Sequence, residues 1–165
     1  MCRTISVLAI LMALLSGCSS TEQTVLFDDL QQRNGAIYYQ DAVYTGVFID
    51  QDKLQRVRAK GYLKDGLLQG EVVSYDAHGR VTKSEHFIDG KPHGPITKFY
   101  ADGTIEEQGL FHQAEAVGKW LLYYNNDALA RESFHKNDRP DGQWTYFNED
   151  GTIKQIRTYK NGQRI

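Results

Sequence analysis

The chain has 165 residues, 41% hydrophobic, 24% charged and 12% aromatic, with a formal net charge of -2 and a pI of about 6.2. That length suits one domain, and the composition excludes a disordered chain and a membrane-embedded one. The mild acidic balance argues against sequence-independent nucleic-acid binding, which needs a basic face.

The chain opens on Arg3 and an almost unbroken apolar run from Ile5 to Leu15. As a helix, the run spans roughly 16 Å, against about 30 Å of bilayer hydrocarbon. It is too short to cross a membrane and suits the apolar region of a secretory signal. Leu15-Ser16-Gly17-Cys18 follows directly. This resembles the bacterial lipobox, in which small residues precede an obligatory cysteine. The resemblance implies removal of residues 1–17 as a signal peptide, a diacylglyceryl group on the Cys18 sulfur and acylation of the new amine. Ser19, where an inner-membrane lipoprotein would carry Asp, implies by the same resemblance the periplasmic face of the outer membrane. Cys2 and Cys18 are the chain's two cysteines, so the mature protein is expected to have neither disulfide nor free thiol. Residues 18–25 read as a lipidated polar tether, and residues 26–165 as the folded domain. Leu26 to Tyr39 is expected to hold a capping strand or short helix, broken at Arg33-Asn34-Gly35, because a terminal repeat has no neighbour to cover it.

From residue 46 onward the chain repeats every 24 residues. Gly46, Gly70, Gly94, Gly118 and Gly142 form one register; Gly79, Gly103, Asp127 and Gly151 form a second; Gly66, Gly90, Ala114, Asp138 and Gly162 form a third. Apolar residues keep the same lattice: Phe48, Val72, Ile96, Trp120 and Trp144 share a column, as do Tyr75, Phe99, Tyr123 and Phe147. Runs such as Gly70 to Asp76 and Arg80 to Ile88 are rich in strand formers, and Asp76-Ala77-His78-Gly79 and Asp89-Gly90 supply turns. Turns this short join antiparallel strands. The predicted fold is therefore all-β: an elongated antiparallel meander of about ten or eleven strands, built from β-hairpin repeats into a single curved sheet. Ala114 breaks the glycine register and predicts a different turn there. The 51–60 stretch, with Gln-Asp-Lys-Leu-Gln, is a weak unit.

The spacings Tyr62-x3-Gly66-x3-Gly70-x4-Tyr75-x3-Gly79 and Phe87-x2-Gly90-Lys91-Pro92-His93-Gly94-x4-Phe99-Tyr100-x2-Gly103 resemble the variant MORN repeat. Arg33-Asn34-Gly35-x2-Tyr38-Tyr39, followed by Tyr44-Thr45-Gly46, resembles the opening of the YwqK-type antitoxin family. The second resemblance implies neutralisation of a toxin by direct binding. In an exported lipoprotein, that becomes immunity to a toxin acting in the envelope, with a structural or assembly scaffold as the alternative.

Chemistry finds little support. The five histidines show no metal-ligand spacing, His93 falls in a repeat turn, and His135 shares the column of Phe87 and Phe111. No Gly-x-Ser-x-Gly elbow is present, and the carboxylates are scattered through turns. No enzyme activity, cofactor, metal or small-molecule substrate is expected. Partners are expected to be a protein and, through the lipid, the membrane. The best binding candidates are columns that change from polar to apolar along the array. One runs Asp50, Ser74, Lys98, Leu122, Tyr146, and the other Asp52, Asp76, Tyr100, Tyr124, Asn148. Tyr100, Leu122, Tyr124 and Tyr146 are therefore the predicted partner-binding residues, against the alternative that they only widen the local core.

Overall fold

The computed structural model describes residues 23–165. Cys18, the signal segment and the tether up to residue 22 lie outside the described residues. Strand β1 (Thr24–Leu26) and a 3-10 turn (Phe27–Asp29) lead into β2 (Gln31–Arg33), β3 (Ala36–Tyr39) and β4 (Ala42–Val43). The array then runs β5 (Gly46–Gln51), β6 (Val57–Lys64), β7 (Leu67–Leu68), β8 (Gly70–Tyr75), β9 (Val81–Ile88), β10 (Lys91–Phe99) and β11 (Ile105–His112). It continues with β12 (Glu115–Tyr123), β13 (Leu129–Lys136), β14 (Arg139–Pro140), β15 (Gly142–Phe147), β16 (Ile153–Lys160) and β17 (Gln163–Arg164). Strands β2 to β4 form a small antiparallel sheet, and the other fourteen form one large open sheet, ordered along the chain from β5 to β17. The strand count exceeds the expectation because β1 and the cap sheet β2 to β4 add to the array, and because breaks at Gln69 and Asp141 separate β7 from β8 and β14 from β15.

One edge departs from a pure antiparallel meander. Strand β1 lies parallel to β5, with Thr24 opposite Val47 and Leu26 opposite Ile49. The rule for short turns does not reach this pair, because the cap sheet intervenes and serves as the crossover that a parallel pair needs. The fold thus begins at Thr24, inside the segment read as tether, and Val25 is 5% exposed.

Two turn types alternate. At one edge, the amide of Asp76 donates to Arg80 O and that of Gly79 to Asp76 O. The pattern recurs at Asp52, Tyr100, Tyr124 and Asn148. Register slips by one residue beside each turn, at Asp50/Gln51, Ser74/Tyr75, Lys98/Phe99, Leu122/Tyr123 and Tyr146/Phe147. A turn followed by a left-handed residue and a bulge is a common compact hairpin closure. Gln55 (φ 61°) takes the left-handed place that Gly79 and Gly103 fill elsewhere, so the weak 51–60 stretch closes in the same way.

At the other edge, paired left-handed residues make two-residue turns, as at Asp89 (φ 49°) and Gly90 (φ 76°). Gln113 (φ 51°) and Ala114 (φ 72°) adopt the same geometry, which corrects the expectation of a different turn at Ala114. The reason is a seam of backbone hydrogen bonds. Gly66 donates to Tyr44 O (2.8 Å), Gly90 to Leu68 O (2.9 Å), Ala114 to Pro92 O (2.7 Å), Asp138 to Ala116 O (3.0 Å) and Gly162 to Pro140 O (2.8 Å). A turn of another shape at Ala114 would leave its place in the seam unpaired.

Alternate residues on each strand share a face. The packed face carries Phe48, Val72, Ile96, Trp120 and Trp144, the column that is apolar in every unit. Near the start of the array that face has a second layer. Val25, Tyr44, Phe48 and Leu63 form a buried cluster, with Leu30, Ile37, Tyr39, Leu68 and Val72 against it. Ile37 N–H donates to Gly66 O (2.9 Å), which docks the small sheet on the first seam turn. A β-carbon on Gly66 would fall 2.9 Å from both the backbone N and O of Ile37, so this turn has no room for a side chain.

Candidate protein-binding face

The cap covers the packed face only at its first hairpins. Further along, that face is lined by a ladder of rings. Phe111 meets Trp120 edge-on at 5.3 Å, Trp120 meets His135 at 5.8 Å, His135 meets Trp144 at 5.1 Å, and Trp144 meets Tyr159 at 5.1 Å. These separations are in the favourable range for tilted and edge-to-face pairs. His135 acts as a rung between two indoles. Burial holds its imidazole below the usual histidine range, reinforced by the charge of Arg131. Trp120 is 8% exposed, whereas Trp144 and Tyr159 are half-buried.

Beside the ladder runs a second row on the same face. Its register places Glu107 opposite Leu122, Leu122 opposite Arg131, Arg131 opposite Tyr146, and Tyr146 opposite Gln155. Arg131 lies over the Trp144 ring at 5.3 Å, and Arg157 over the Tyr146 ring at 5.0 Å. Each guanidinium thus lies within cation–π range of a ring, a contact that arginine favours. Lys98 bonds Glu107 at 2.8 Å, while Arg131 stands 3.7 Å from the other oxygen of that carboxylate.

The four predicted partner-binding residues separate into two groups. Leu122 and Tyr146 come together on the packed face, flanking Arg131. Tyr100 and Tyr124 instead start hairpin turns, in the places of Asp52 and Asp76. The Tyr100 hydroxyl donates to Tyr123 O at 2.7 Å and the Tyr124 hydroxyl to Phe147 O at 2.8 Å, so each straps its hairpin to the next. Burial raises the Tyr100 hydroxyl above the usual tyrosine range. Asp52 and Asp76 bond within their own turns, through Arg56 and Arg80. The change from Asp to Tyr along this column therefore exchanges a bond within a turn for one between hairpins.

Arg131 and Arg157 were not singled out by sequence. Their columns run Glu107, Arg131, Gln155 and Gly61, Glu85, Gly109, Ser133, Arg157, so neither is uniform enough to signal a face. A shallow groove of about 620 Å³ opens at Ile49, Arg56, Val57, Lys60, Tyr75 and His78. Among the described residues, no group of three His, Cys, Asp or Glu is placed to hold a metal ion.

The family model for the MORN repeat variant matches residues 92–113 and 140–161, two stretches that keep the same phase of the lattice. These two units of the array are similar to the MORN repeat variant. The second matched stretch contains Trp144, Tyr146, Arg157 and Tyr159, so two of the five rings of the ladder and the Arg157–Tyr146 pair belong to one matched unit. No curated protein matches the chain. Among solved structures, a chain from the crystal structure of a GtfA/B complex bound to UDP and GlcNAc is similar over 87% of this chain and 28% of its own length, at 10% identity and a TM-score of 0.29. This chain therefore spans well under half the length of that relative.

Proposed function

We propose that this is a lipid-anchored repeat protein of the bacterial envelope, held at the periplasmic face of the outer membrane through Cys18, which neutralises a toxin by binding it directly. It acts by binding, not by catalysis. The observation that carries this reading is the ring ladder of the C-terminal units, in which Trp120 is buried but His135, Trp144 and Tyr159 stay part-exposed, on a sheet whose first hairpins are already capped. Large rings and arginines on a stiff surface bring contact area at small entropy cost and make strong interface anchors. The lipobox-like segment supports the location, and the antitoxin-like opening of the repeat region supports the kind of partner.

The test is a protection assay. A strain lacking the protein should be killed by toxin-producing siblings and rescued by the intact gene. A Cys18→Ala copy should rescue poorly, because the protein is released from the membrane. A deletion strain that survives the siblings as well as its parent overturns the immunity reading. If that strain instead shows a weakened envelope with no attacker present, an assembly scaffold is the better reading.

A further inference from the structure

On the packed face of β13, β15 and β16, alternation presents Leu129, Arg131, Ser133 and His135, then Gly142, Trp144 and Tyr146, then Gln155, Arg157 and Tyr159. Arg131 and Arg157 are its charged residues, and no carboxylate from these three strands faces them. Residues 128–165 hold seven Lys and Arg against five Asp and Glu, while the whole chain carries -2. The aromatic surface described above is thus locally cationic.

Neither guanidinium is saturated by the partners it has within the fold. The Nε atoms of Arg131 and Arg157, Trp120 Nε1 and His135 Nδ1 are buried and find no hydrogen-bond partner among the described residues. The nearest carboxylate to Arg131, Glu107, stands at 3.7 Å and is already engaged by Lys98 at 2.8 Å. Arg157 bonds the neutral Gln155 at 2.9 Å. A guanidinium beside a ring can still offer its terminal N–H groups to a carboxylate, which accepts them in pairs.

We propose that Arg131 and Arg157, set on Trp144 and Tyr146, form a two-point clamp for carboxylates of an acidic protein segment that lies across the packed face. This names the chemistry of the partner and rests on the binding function proposed above. Two cations favour such a segment over an anionic membrane, whose attraction needs a cluster of about four to eight basic residues.

The test uses the intact chain in detergent micelles and a fluorescein-labelled dodecapeptide of repeating Glu-Gly-Glu-Leu. Fluorescence anisotropy should show binding that weakens with salt. Arg131→Gln and Arg157→Gln should each lower the affinity about tenfold, and Arg80→Gln, in the Asp76 turn of an earlier hairpin, should leave it unchanged. No binding by the parent chain, or equal binding by the double variant, overturns the clamp. So does binding of phosphatidylglycerol vesicles, with the same arginine dependence, in place of the peptide. The double variant also enters the protection assay. If the parent protects and the variant protects equally, the clamp fails while the immunity reading stands; if the parent gives no protection, the immunity reading itself fails.

Discussion

The Trp120 indole fills the space that a side chain on Gly109 would need. The two residues sit on adjacent β12 and β11, and a β-carbon on Gly109 would overlap the atoms shared by the two indole rings. Gly61 has the same relation to Phe48, whose ring atoms would stand 2.8 and 2.9 Å from a β-carbon there. In both cases a bare backbone lets a large ring lie flat on the neighbouring strand. Gly109→Ala should therefore lift Trp120 off the sheet and destabilise the protein by about 1–3 kcal/mol, the usual range for overpacking. Urea unfolding followed by tryptophan fluorescence measures this, and an unchanged midpoint would show that the ring has room to move.

Ala114 should be the easiest position to improve. Its left-handed backbone costs a residue with a β-carbon roughly 1–2 kcal/mol, and glycine removes that cost but adds freedom to the unfolded chain. Ala114→Gly should raise stability by a net gain of about 0.5–1 kcal/mol. Gln55→Gly should act in the same direction. A lower thermal midpoint for Ala114→Gly would mean that the methyl group makes a contact of greater value than the strain.

The straps from Tyr100 and Tyr124 can be cut without removing a ring. Tyr100→Phe and Tyr124→Phe each delete one hydroxyl and leave a carbonyl, Tyr123 O or Phe147 O, without its side-chain donor. Each should cost about 0.5–1.5 kcal/mol in denaturant unfolding. The two losses should add, because the residues are a full repeat apart and share no partner. If neither substitution moves the unfolding midpoint, the hydroxyls do not tie the hairpins in solution.

Acid should loosen the turn row. The Arg80 guanidinium bonds Asp76 at 2.7 Å and holds its carboxyl from 3.8 down to about 2. A carboxylate depressed in the folded state binds its proton first in the unfolded chain. Its contribution is therefore complete above pH 3.8 and is lost as the pH falls through about 2. Asp52, beside Arg56, and Asp102 and Asp150, bonded by Thr104 and Thr152, shift in the same direction. Urea midpoints should fall between about pH 5 and pH 2, and Asp76→Asn should flatten part of that slope. An identical slope for parent and variant would remove Asp76 from the account.

Most of the fold was legible because each hairpin repeats the solution of the one before. The column from Phe48 to Trp144 marked the packed face, and three registers of turn residues marked both edges. What stayed hidden depends on neighbours that no column records. Gly61 and Gly109 alternate in their column with Glu85, Ser133 and Arg157, so nothing at one position announces the ring above it. The parallel docking of β1 depends on how the cap folds back, and a 24-residue period carries no information about that. Ala114 misled because propensity argued against a left-handed alanine, while the seam required one. Tyr100 and Tyr124 were visible as a change in residue type, but only the structure shows their hydroxyls reaching the next hairpin.

Beyond Gly66, where the cap leaves no room for a side chain, the seam that runs on to Gly162 joins backbone to backbone and asks of its turn residues only tolerance of a left-handed turn. Any block of 24 residues excised in phase would leave donors and acceptors matched across the cut, and any block inserted in phase would find both partners waiting. Such an architecture can grow or shrink by whole modules without redesigning its scaffold. The rings and arginines of one module are then free to diverge toward a new partner while the rest of the array keeps its shape.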